Sequence, residues 1–152
     1  MLQSPQKGKE VDLGKNSVSP GMVALHLLRL SMAESLNPIQ YQVFALCFLE
    51  QIPQMKLNEM LNMSASAISR CYHRCLYNIR RFWKTPKGLV VKTEIIYNLK
   101  QVLIEPQFTV FYKHIFEGKQ QKAISNELGI SRSAVSRRYT RARYTLLIIW
   151  NS

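Results

Sequence analysis

The groups in this chain with most to offer chemically are arginines. Arg132, Arg137, Arg138, Arg141 and Arg143 crowd one short stretch, interleaved with Ser133, Ser136 and Thr140. A guanidinium binds phosphate and can bond a guanine edge bidentately, while a hydroxyl can serve several base edges. Whether such groups act together depends on what lies behind them. Val135, Tyr139, Ala142 and Leu146 recur at helical spacing and form one apolar stripe. The opposite face of that helix carries Arg132, Ser133, Arg137, Thr140, Arg141 and Tyr144.

The element that must position this helix comes just before it. Ala123, Ile124 and Leu128 stripe a short helix, Gly129 suits the left-handed turn that ends it, and Ile130 is an apolar plug. Ser131 is a good N-cap for the arginine-bearing helix. Two helices, a glycine turn and a one-sided basic face predict a helix-turn-helix whose second helix enters a major groove.

The same pattern stands 67 residues earlier. Ser64, Ser66, Ala67, Ser69, Arg70, Tyr72, Arg74, Tyr77 and Trp83 fall on identical residues of the second stretch, nine identities in twenty positions without a gap. Chance likeness between amphipathic helices would match apolar positions; here outer-face polar residues match too. The reading is an internal duplication in an all-α chain: a disordered polar tail over 1–21, a first four-helix unit over 22–83, a linker over 84–92 and a second unit over 93–152. Asn62 takes the turn position in the first unit, since Asn tolerates a left-handed backbone.

Composition narrows the partner. The net charge of +12 implies an anionic partner, and the arginine positions favour nucleic acid over an acidic membrane or protein. No apolar run is long enough to span a membrane and the N-terminus lacks a signal-peptide core, so a cytoplasmic location is expected. Cys47, Cys71 and Cys75 read as reduced thiols. Cys71, His73 and Cys75 do not share one helix face and lack a fourth ligand, so no metal or other cofactor is expected. His26 and His114 have no nucleophile and carboxylate at a recognisable spacing, and enzyme activity is not expected.

Residues 110–146 resemble region 4 of the sigma-70 family, which reads the −35 promoter element. Phe116-Glu117-Gly118, Leu128-Gly129-Ile130-Ser131, Val135 and Arg141-Ala142-Arg143 carry the resemblance. There is no region 2, the part that melts the −10 element, so the resemblance implies a DNA-binding regulator that borrows this module, of a kind frequent in phages and mobile elements. The first unit departs from the pattern, with Asn62 at the turn and Arg74-Cys75-Leu76 in place of the Arg-Ala-Arg run.

The expected DNA-binding residues are Arg132, Ser133, Ser136, Arg137, Thr140, Arg141 and Arg143 in the second unit, and Ser66, Ser69, Arg70, His73 and Arg74 in the first. Arg141 and Arg143 are expected on phosphates, which give affinity rather than sequence choice. The leading reading is a sequence-specific double-stranded DNA-binding regulator. The alternatives are an RNA polymerase-interacting accessory factor and a DNA-packaging or recombination accessory protein. At the C-terminus, Leu147 and Ile148 replace Arg80 and Arg81 of the first unit. An apolar helix end must be covered on more than one side, by helix 22–35 or the first unit, or by a homodimer through Leu147 and Ile148.

Overall fold

The computed structural model describes residues 19–152, which are all helix and connection. The expected polar tail lies outside the described residues up to position 18. Its last two residues belong to a helix: α1 spans Pro20–Ser35, capped by the Ser19 hydroxyl, which accepts from Met22 N–H. Proline in a first helical turn lacks only an N–H that would be unpaired there.

Seven further helices follow. These are α2 (Pro38–Phe44), α3 (Gln54–Leu61), α4 (Ala65–Phe82), α5 (Pro86–Leu99), α6 (Glu105–Phe111), α7 (Gln121–Leu128) and α8 (Arg132–Trp150). Asn37 and Gln40 form a reciprocal capping box at the start of α2. Both α2 and α6 widen into one π-helical turn, over Ala45–Leu49 and Tyr112–Phe116. Each turn is followed by a residue with positive φ, Gln51 (51°) and Gly118 (75°).

The expected linker over 84–92 is corrected, since α5 already runs through most of it. Thr85 accepts from Gly88 N–H at 3.0 Å and Pro86 opens α5, so α4 and α5 are joined by a short turn. Thr85-Pro86, inside the expected linker, is a helix start for the same reason as at α1.

Packing is layered. Val43, Leu57 and Ile68 form a small core between α2, α3 and α4; Val110, Ile124 and Val135 form its counterpart between α6, α7 and α8. One larger core runs through the chain, from Leu25, Leu28 and Met32 of α1 to Leu76 and Ile79 of α4, Ile95 and Leu99 of α5, Phe111 of α6 and Leu146 of α8. Burial at this scale supplies most of the folding free energy, roughly 1.5–3 kcal/mol for each large side chain. α1 packs against α5, α4 and α8, so the two halves share their main core. Trp83 is buried at the end of α4, with its ring stacked on Phe116 at 4.7 Å and its N–H donated to the Ser31 hydroxyl at 3.0 Å.

Candidate nucleic-acid interface

The two helix pairs α3–α4 and α7–α8 are built by the same local devices. Asn62 ends α3 at φ 52° and Gly129 ends α7 at φ 67°. Ser64 and Ser131 then cap α4 and α8, accepting from Ala67 N–H at 3.2 Å and Ala134 N–H at 3.1 Å. Met63 and Ile130 join the two small cores as plugs. In the second turn the Ser125 hydroxyl also donates to the Ile130 carbonyl.

These devices leave one face of α4 and one of α8 to solvent. On α8, Arg132, Ser133, Arg137, Thr140, Arg141 and Tyr144 are exposed, and Ser136 is half-buried. On α4, Ser66, Ser69, Arg70, His73, Arg74 and Tyr77 are exposed. His73 Nδ1 lies 2.8 Å from the Ser69 carbonyl and 3.5 Å from its hydroxyl, which orients the ring along the outer face. Tyr72 and Tyr139 turn inward, stacked on Phe44 at 5.3 Å and Phe111 at 6.0 Å. Burial pushes the Tyr72 phenol well above its usual range.

Arg143 is the exception, and its expected phosphate contact is corrected. Its guanidinium donates to the Cys47 carbonyl at 2.8 Å and the Phe48 carbonyl at 3.3 Å, and lies over the Phe48 ring at 4.7 Å. Gln51 Nε2 donates to the Arg143 carbonyl at 2.7 Å. Arg143 thus fastens α8 to the π-helical end of α2, using donors a phosphate would need. The helical wheel sets it beside the apolar stripe of Tyr139, Ala142 and Leu146 but cannot see the neighbour it meets. In the N-terminal part of the outer face, the exposed basic excess of α8 over α4 therefore reduces to Arg132, which stands where the first helix has Ala65.

Sequence reasoning also missed Arg80. Its Nε donates to the Ile115 carbonyl at 2.8 Å and one terminal nitrogen to the His114 carbonyl at 3.1 Å. The sequence carried little signal for it: Gly118 suits a positive φ at a helix end, but Gln51 at the corresponding position does not announce one. Between the helix pairs lies a cleft of about 350 Å³, lined among others by Cys47, His114, Tyr72, Tyr139, Ser69 and Arg143. Burial lowers the His114 pKa and raises those of the Cys47 and Cys75 thiols, Cys75 to about 12.

Around α7 the second pair is fastened by charge. Lys113 and Lys119 both bridge to Glu127, and Lys119 also to Glu117 at 3.3 Å. The positions 67 residues before the two lysines hold Leu46 and Ile52, which pack on the first small core. Of the expected interface pair at the C-terminus, Leu147 is half-buried and Ile148 is 51% exposed. The neighbouring residues are covered from within the chain: Ile149 lies against Gly21, and the Trp150 ring lies under Arg29 and donates to Glu50 at 3.1 Å.

Two helices joined by a left-handed turn, the second with a capped N-terminus and a basic outer face, define a helix-turn-helix protein. Residues 93–146 match the family described as Sigma-70, region 4, and this stretch is a sigma-70 region 4-like helix-turn-helix. The match begins within α5 and ends within α8. No curated protein and no solved structure matches the chain. Among the described residues no helix is long and apolar enough to cross a membrane.

Proposed function

We propose that this chain is a sequence-specific double-stranded DNA-binding transcriptional regulator in which α4 and α8 both serve as recognition helices. One observation carries the reading: Ser66 and Ser133, Arg70 and Arg137, Arg74 and Arg141, and Tyr77 and Tyr144 are exposed at positions 67 residues apart. A solvated charged face needs no such agreement, whereas two groove-reading helices do. In this reading Arg132, Arg137 and Arg70 face bases, and Arg141, Arg74 and the two tyrosines hold phosphates.

The proposal includes a duplication as the origin of the two helix pairs. It is supported by the matched outer-face residues and by the element order, since helix, short helix with a π-turn, short helix and long helix occur twice in the same sequence. The chain acts without catalysis, in the cytoplasm where its DNA is. The test is selection of bound duplexes from a random pool, followed by a salt titration on the selected site. Enrichment of one sequence is expected, with affinity falling by about 10³–10⁵ between 50 and 200 mM salt if roughly 6–10 phosphates are neutralised. Absence of enrichment and a nearly flat salt dependence would sink the reading. Co-purification with RNA polymerase in the absence of DNA would favour the accessory-factor alternative.

A further inference from the structure

How two helix-turn-helix pairs are related decides what DNA they can read together. In a head-to-tail arrangement, surface i of one unit meets surface j of the other and the reverse contact is absent. In a two-fold arrangement both contacts occur, and like positions meet across the axis.

Both signatures of the two-fold arrangement are present. The end of α4 meets the π-turn of the second half: Arg80 bonds His114 and Ile115, and Trp83 stacks on Phe116. The end of α8 meets the π-turn of the first half: Arg143 bonds Cys47 and Phe48, and Trp150 bonds Glu50. His114 and Ile115 stand 67 residues after Cys47 and Phe48, so the acceptors correspond position by position. Like positions also meet. Cys47 and His114 line one cleft together with Tyr72 and Tyr139, and α1 packs on α5. The symmetry is local to the helix-turn-helix parts, because α1 packs on α4 and α8 alike while α5 packs mainly on α1.

We infer that the chain is a single-chain counterpart of a two-fold helix-turn-helix dimer, and that its target is an imperfect inverted repeat read as one unit. The inference rests on the DNA-binding reading above. The arginine bonds and shared core hold α4 and α8 in fixed relation, so both half-sites must be present in one orientation and at one spacing. The half-sites should be alike, since Ser66, Arg70 and Arg74 recur as Ser133, Arg137 and Arg141. They should not be identical, since Ala65 and His73 correspond to Arg132 and Thr140.

The experiment uses the full chain and the duplex selected from a random pool. Four duplexes are compared: the selected site, the site with one half reversed in place, the site with one half scrambled, and the site with a half-turn of DNA inserted between the halves. The expected result is a two-fold related consensus, with losses of roughly 100-fold or more for each altered duplex, since several base contacts are forfeited at once. Arg70→Ala and Arg137→Ala should relax sequence preference in opposite halves. A consensus of direct repeats, equal binding to the reversed site, or full affinity for a single half would overturn the two-fold inference and leave DNA binding standing. Failure to bind any duplex specifically would overturn both.

Discussion

Arg80 and Arg143 hold corresponding carbonyls in opposite directions, from positions one helical turn apart in the two halves. Arg80, on the fourth helix, caps the carbonyls of His114 and Ile115; Arg143, on the eighth, caps those of Cys47 and Phe48. These carbonyls lie at the ends of the π-helical turns, where the regular helical ladder stops; the His114 carbonyl also accepts from Gly118 N–H at 3.2 Å. The residues that follow those turns fit the arrangement. Gln51 reaches the Arg143 carbonyl, and Gly118 leaves room for the Arg80 guanidinium. Each half of the chain therefore completes a helix end in the other.

Removing either arginine should destabilise the fold more than removing an outer-face arginine. Hydrogen bonds from a charged donor contribute about 1.5–3 kcal/mol. Arg143→Ala also removes a cation over the Phe48 ring, and should cost at least as much as Arg80→Ala. Arg70→Ala and Arg137→Ala should stay within about 0.5 kcal/mol of the parent in urea unfolding. Equal stability of all four variants would remove the capping role. In DNA binding, Arg141→Ala should reduce the salt slope by about one, and Arg143→Ala should leave it unchanged.

The two positive-φ glycines should respond unequally to alanine. At Gly129 the φ is 67° and an added Cβ meets nothing within 4 Å, so only the left-handed backbone cost of roughly 1–2 kcal/mol applies. At Gly118 the φ is 75° and the Cβ would come within 3.2 Å of the Arg80 guanidinium. Relief requires moving a group that is holding two carbonyls, so Gly118→Ala should lower the melting temperature more. A larger loss at Gly129 would contradict the capping geometry.

Stability should fall on mild acidification, with His114 as one cause. Its Nδ1 lies 2.9 Å from the Lys119 carbonyl and donates to it. Burial, opposed by that bond and reinforced by Arg80 and Arg143, lowers its pKa from the ordinary 6.5. The unfolded chain then takes up a proton that the folded chain resists. The His114 contribution is full above the unfolded pKa, declines as pH falls towards the folded pKa, and levels off below it. Melting curves between pH 8 and 5 should show this decline, and His114→Asn should flatten it. The same slope in the variant would assign the effect elsewhere.

Local devices were legible in the sequence and long-range ones were not. Ser64 and Ser131 as caps, Asn62 and Gly129 as turn residues, and the inward Tyr72 and Tyr139 all follow from spacing within one helix pair. The outer faces were legible for the same reason, because a helical wheel is local knowledge. Arg143 defeated the wheel because its partner lies 96 residues away in sequence. The π-turns left no mark on hydrophobic periodicity. Thr85-Pro86 was ambiguous in kind, since the residues that stop one helix also start the next.

The account stands most directly on the binding of Arg70→Ala, Arg137→Ala and the double variant to the selected duplex at one salt concentration. Both side chains are exposed, and neither bonds to another residue among those described, so folding should be kept. Each single change should cost about 1–3 kcal/mol of binding. Arg137→Ala should cost more, because Arg132 at the start of α8, where α4 has Ala65, makes the groove-entering end of α8 the more basic. The double variant should lose close to the sum, since the two helices contact separate half-sites. Full affinity in all three variants, with melting temperatures unchanged, would contradict the claim that α4 and α8 read DNA.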